Sequence, residues 1–225
     1  MIDLPFKNRV AAGRALAEKL EERHYPNAVV YALPRGGVPI ALEIGRKLSA
    51  PVDLLLVRKI GVPHHEELAA GAIVDGENPD IIINPEIVHA AQMTKADFEV
   101  AAALALKEIE RRRALYLGGA KAISARGATA ILIDDGIATG ASMRAAIEAV
   151  RRREPTRVVV AVPVASREAV SEFSELADAF ICIAAPAHFG AVGYYYEDFT
   201  QLSDEDVIAM MQEARALRPE IVEAE

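Results

Sequence analysis

Five largely apolar runs limit what this chain can fold into, and none of them alternates with polar residues: Ala28 to Leu33, Val52 to Val57, Ala130 to Ile133, Thr156 to Val164 and Asp178 to Ala184. A strand with one face in water alternates apolar and polar side chains. A continuous run suits a strand covered on both faces, which is the condition of a parallel sheet. Helical stretches separate the runs. Phe6, Val10, Gly13, Ala17 and Leu20 recur at helical spacing and predict a helix over 6–22, and further helices are expected at about 38–48, 94–117, 167–176 and 203–215. Thr94 with Asp97 resembles a capping box, with Asp in place of the usual Glu or Gln. Arg58 to Ala70 reads as an irregular stretch of β-hairpin character, followed by strand-like pieces at 71–74 and 80–84. Strands alternating with helices predict an α/β fold with a doubly wound, mostly parallel central sheet flanked by helices.

With 225 residues, 52% of them hydrophobic, the chain can bury a full core as one domain. No apolar run reaches about 18 residues, and the first residues lack a signal-peptide pattern, so a cytoplasmic protein without membrane contact is expected. The net charge of −8 argues against DNA binding, which needs a basic face. Two basic runs, Arg111 to Arg113 and Arg151 to Arg153, fall near predicted helix ends and read as solvated helix termini. The single cysteine, Cys182, lies in an apolar run and reads as a core residue.

The chemistry concentrates in Ile131 to Met143. Here an apolar strand ends at Asp134 and Asp135, and a turn of Gly136, Ile137, Ala138, Thr139 and Gly140 opens into a helix at Ala141 and Ser142. Backbone N–H groups at a helix N-terminus bind anions, and the Thr139 and Ser142 hydroxyls add donors. Adjacent carboxylates can accept hydrogen bonds from vicinal sugar hydroxyls or face Mg²⁺. Neither a Gly-Lys-Ser/Thr phosphate loop nor a G-x-G-x-x-G turn is present. By itself the segment also suits an ordinary strand–turn–helix whose Asp and Gly residues serve the turn.

This segment resembles the phosphoribosyl pyrophosphate (PRPP) motif of the type I phosphoribosyltransferases. The resemblance implies that Asp134 and Asp135 meet the ribose hydroxyls and, directly or through water, Mg²⁺, and that Gly136 to Ser142 wrap the 5′-phosphate. It implies a core over about 28–184, a flexible β-hairpin loop over 58–84 and a small C-terminal hood over 185–225. Arg35, Gly36 and Gly37 follow the first strand as the family's pyrophosphate loop does, where glycines allow close backbone approach. Arg58 and Lys59 follow the second strand, where some family members place basic residues on pyrophosphate. Catalytic roles are thereby implied for Asp134, Asp135, Arg35 and Lys59. The flexible loop here carries His64 and His65 and lacks a further lysine found in some transferases.

Five aromatic residues cluster in His188 to Phe199 of a chain poor in them. Val192-Gly193-Tyr194 followed by acidic residues loosely resembles the hood of the 6-oxopurine transferases. That implies acceptor contacts from Phe189, Tyr194, Tyr195 and Glu197, with Asp198 as a further metal ligand. The same aromatics equally suit packing of a terminal helix on the core. The expected activity is pentosyl transfer from PRPP to a nitrogenous acceptor with Mg²⁺ as cofactor. The expected partners are PRPP and a small-molecule acceptor, and the expected assembly is a homodimer. A PRPP- or nucleotide-sensing regulator on the same fold is the alternative.

Overall fold

The computed structural model of the chain describes residues 4–63, 65–76 and 79–216. Strands β1 (Ala28–Ala32), β2 (Val52–Leu54), β6 (Thr129–Ile133), β7 (Arg157–Val164) and β8 (Ala179–Ala184) form a five-stranded sheet in the order β2-β1-β6-β7-β8. Every pairing in it is parallel. The apolar runs required two covered faces, and the structure provides them. Val30, Ala32, Ile131 and Ile133 point into a core shared with helices α1 (Arg9–Glu21), α2 (Gly37–Leu48), α4 (Lys95–Leu117) and α7 (Asp204–Ala216). Val29, Tyr31, Ala130 and Leu132 point the other way, onto α5 (Ala141–Arg151) and α6 (Arg167–Leu176). The doubly wound α/β expectation is borne out.

Helix ends follow local chemistry. Thr94 and Asp97 do form a reciprocal capping box, and Ser166 accepts from the Ala169 amide to open α6. The first helix begins later than its apolar spacing predicted, because Asn8 caps it by accepting from Ala11 N at 2.9 Å. Phe6 is thereby released to bridge to Tyr196. A short helix α3 (Pro85–Ala90), capped by Asn84, was not anticipated.

Two expectations need correction. The run Val52 to Val57 is not one strand: β2 ends at Leu54, and the chain crosses to a second sheet through Leu55 and Leu56. The stretch of expected β-hairpin character does form a hairpin, but its strands are longer and more regular than expected: β3 (Val57–Val62) pairs with β4 (His65–Val74), and β5 (Asp80–Ile83) completes an antiparallel sheet in the order β3-β4-β5. Register shifts on either side of Gly61 interrupt the alternation of faces along β3.

That second sheet is tied to the first by buried charge. The Asp75 carboxylate accepts from Leu56 N at 2.7 Å and pairs with Arg113, which also lies 3.7 Å from Asp53. Arg153 donates to the Asp75 carbonyl and reaches Asp80 at 3.1 Å. Arg113 and Arg153 are therefore internal ties, whereas Arg111 and Arg112 hold the half-buried Glu108 at the helix surface, as expected of a solvated helix end. Burial outweighs these partners at Asp75 and pushes its carboxyl up to about 6.

Candidate functional site

In an open α/β sheet, ligands bind where adjacent strands send their connections to opposite sides. Here that point lies between β1 and β6, since β1 leads through α2 to β2 and β6 leads through α5 to β7. The two loops singled out in the sequence, Arg35 to Gly37 and Asp134 to Ser142, leave the sheet at this point.

They touch. A Cβ added to Gly36 would lie 2.0 Å from Asp135 Oδ2, so the absence of a side chain at Gly36 is what lets the first loop close on the motif carboxylate. The Pro34–Arg35 peptide is cis, and the Arg35 guanidinium lies 3.7 Å from Asp204 at the start of α7. Asp204 also accepts from the Tyr116 hydroxyl at 2.6 Å. Gly37 is the buried first residue of α2.

The motif loop is supported from β7. Ile137 donates to Val164 O and accepts from Ser166 N, while the Ser166 hydroxyl donates to Ala138 O at 3.1 Å. Gly140 has φ +71 and stands against the Phe173 ring, a backbone and a space that only glycine fits comfortably. It precedes α5 with no side-chain cap. The amides of the first turn, including Ala141 and Ser142, thus have no side-chain competitor for an anion. Thr139 is exposed beside them, and Gly136 lies beneath Val192 of the hood.

The two carboxylates are unequal. Asp134 accepts from the Asp135 amide at 2.8 Å, and among the described residues no cation contacts its carboxylate. Burial first, and the neighbouring Asp135 charge second, hold its carboxyl well above the ordinary range. Asp135 is also raised by burial, but Arg9 opposes the rise by donating from Nε to Oδ2 at 2.9 Å. The Tyr196 hydroxyl donates to the Asp135 carbonyl at 2.6 Å. Neither Arg9 nor Tyr196 was identified from the sequence. The apolar spacing around Arg9 marked only a packing helix, and nothing local links it to a carboxylate 126 positions away.

Arg58 and Lys59 are exposed neighbours on β3, so their side chains leave opposite faces of the strand. Both line a cavity of about 770 Å³ between β3 and α4. Of the two, only Lys59 also lines a cavity of about 340 Å³ that reaches Ala141 and Arg144 of α5. His65 is exposed on β4, and His64 lies outside the described residues. Among the described residues no group of three or more His, Cys, Asp or Glu side chains could hold a metal ion.

In the hood, Phe189 stacks on Tyr195 with ring centroids 5.3 Å apart, and the Tyr195 hydroxyl donates to His188 O. Tyr194 is 78% exposed. The Glu197 amide donates to Phe6 O, leaving an exposed side chain, and the Asp198 carboxylate accepts from the Thr200 amide and hydroxyl. Cys182 is only partly buried, and burial pushes its thiol up to about 11. Among the described residues no helix is long and apolar enough to cross a membrane.

A sequence profile described as a phosphoribosyl transferase domain matches residues 5–198. Two Mycobacterium tuberculosis proteins carrying provisional phosphoribosyl transferase names are each 41% identical over 209 residues, which is 93% of this chain. The chain spans 47% of the length of these relatives. The crystal structure of TT1426 from Thermus thermophilus is similar in fold, with a TM-score of 0.82 and 39% identity over 93% of this chain and 99% of that one.

Proposed function

This chain belongs to the phosphoribosyl transferase family, and from that premise we propose that it transfers the 5-phosphoribosyl group of PRPP to a nitrogenous, nucleobase-like acceptor. The observation that carries the reading is the closure of Gly36 onto Asp135, which joins a pyrophosphate-type loop to a sugar-phosphate loop at the switch point of the sheet. The 5′-phosphate would lie on the loop Gly136 to Ser142 and the uncapped start of α5. Asp134 would accept from the ribose hydroxyls, and Arg35, the Gly36–Gly37 backbone and Lys59 would face the pyrophosphate.

In the reaction, a lone pair on the acceptor nitrogen forms a bond to C1 of the ribose as the C1–O bond to pyrophosphate breaks, and the acceptor proton is released. The protein's contribution is positioning and preorganised donors for the departing anion. Mg²⁺ fits this donor set as a hard cation taking most of its oxygens from the substrate, with Asp134 as the protein oxygen, and it would neutralise charge on pyrophosphate. The exposed Tyr194 and the Phe189–Tyr195 stack are the candidate acceptor contacts.

The test is to incubate the protein with Mg²⁺, PRPP and a panel of purines, pyrimidines, orotate, nicotinate and amines, following pyrophosphate release. Acceptor-dependent release supports the transferase. Tight PRPP binding without release for any acceptor would replace it with a sensor, and no binding would sink both.

A further inference from the structure

Arg9 makes more contacts at the candidate site than any one role in packing requires. Its Nε donates to Asp135 Oδ2 at 2.9 Å, and its Nη1 donates to the Thr200 carbonyl at 2.9 Å. The guanidinium carbon lies 3.9 Å from the centre of the Phe199 ring and 6.0 Å from that of Tyr196. The side chain is only 11% exposed. The segment it clasps is the one whose Tyr196 hydroxyl holds the other end of Asp135, the carbonyl. Around it the two ends of the domain are laced by backbone bonds, Phe6 N to Tyr195 O and Glu197 N to Phe6 O, each 2.8 Å.

We propose that Arg9 is the positioning residue of the site: it fixes the Asp135 carboxylate under the Arg35–Gly37 loop and makes residues 196–200 part of the sugar-phosphate grip. The proposal rests on the transferase reading above and goes beyond it by dividing labour between the two motif carboxylates. Asp135 Oδ2 is taken by Arg9 and packed against Gly36, so Asp135 anchors the loop–loop contact. Asp134, which no cation contacts among the described residues, is the carboxylate left for the sugar. The residue type follows from the geometry. A planar guanidinium can donate to a carboxylate from one edge and to a carbonyl from another while an aromatic ring covers its face, and a lysine ammonium cannot do all three.

A purely structural ion pair would lower the melting temperature and leave substrate affinity of the folded protein unchanged. A positioning residue changes affinity at temperatures where the fold is intact. The experiment is calorimetric titration of PRPP with Mg²⁺ into the wild type, Arg9→Lys, Arg9→Gln and Phe199→Leu, at a temperature where circular dichroism shows each variant folded. Phe199→Leu removes the stacking ring but keeps both charges, so it carries the test if Arg9→Gln fails to fold. The expected result is at least tenfold weaker binding for Arg9→Lys and Arg9→Gln, and severalfold weaker binding for Phe199→Leu. Wild-type binding with all folded variants within twofold of it overturns the role of Arg9 alone. A wild type that takes up no PRPP overturns the transferase reading, and this role with it.

Discussion

Gly36→Ala separates two opposing physical effects by sign. Gly36 has φ −61 and ψ −34, ordinary helical values. On backbone grounds alone, alanine there should stabilise the fold by about 0.4–1 kcal/mol, because it restricts the unfolded chain. The space forbids it: the new Cβ would lie 2.0 Å from Asp135 Oδ2 and 2.4 Å from Cγ, so the carboxylate must swing away from Arg9. That pair is 11% and 15% exposed, and losing a shielded hydrogen bond between charged groups costs about 1.5–3 kcal/mol. The net is a destabilisation of roughly 0.5–2.5 kcal/mol, or a melting temperature lower by about 1–10 °C for a chain of this size. Thermal denaturation followed by circular dichroism reads it directly. In an Asp135→Ala background the obstruction is gone, and Gly36→Ala should there leave the melting temperature unchanged or raise it. An equal or higher melting temperature for the single Gly36→Ala variant would refute the reasoning, as would the same loss in both backgrounds.

Asp134→Asn should abolish acceptor-dependent pyrophosphate release, with a fall of at least about a hundredfold. Because desolvation and the neighbouring Asp135 charge disfavour an ionised carboxyl at Asp134, the uncharged amide should also raise stability by roughly 1 kcal/mol in urea melts at pH 7; a less stable variant would contradict the account of Asp134. For Asp75, the folded-state carboxyl at about 6 lies above its ordinary value of 3.8, so the folded protein holds the proton more tightly than the unfolded chain. Its contribution is fully present below about pH 4 and is lost as pH rises through about 6. Wild-type stability should therefore fall relative to Asp75→Asn by about 1–3 kcal/mol between pH 4 and 7, and a gap that does not change with pH would exclude it. Lys59→Ala should raise KM for PRPP about tenfold or more, while Arg58→Ala, on the α4 side of β3, should change it less than about threefold; steady-state pyrophosphate release with equal effects from both would remove that distinction.

The parts of this protein legible in its sequence are those decided within a few neighbouring positions. Continuous apolar runs require two covered faces, and so the parallel sheet could be read before any contact was known. The box at Thr94 and Asp97 is complete within four residues, and the motif from Asp134 to Ser142 carries its own turn and helix start. The second sheet was less legible, because its hairpin departs from regular pairing at Gly61 and its strands carry both charged and apolar residues. What the tertiary structure decided is which distant groups meet. Arg113 and Arg153 sit in basic runs that look alike along the chain, yet they reach the buried Asp75 and the half-buried Asp80 respectively, while Arg111 stays at the surface with Glu108. Arg9 and Tyr196 come from opposite ends of the chain and converge on Asp135. A charge pattern records how many cations a segment carries, whereas the carboxylate each one neutralises depends on how the layers stack, and that is fixed only when the whole core closes.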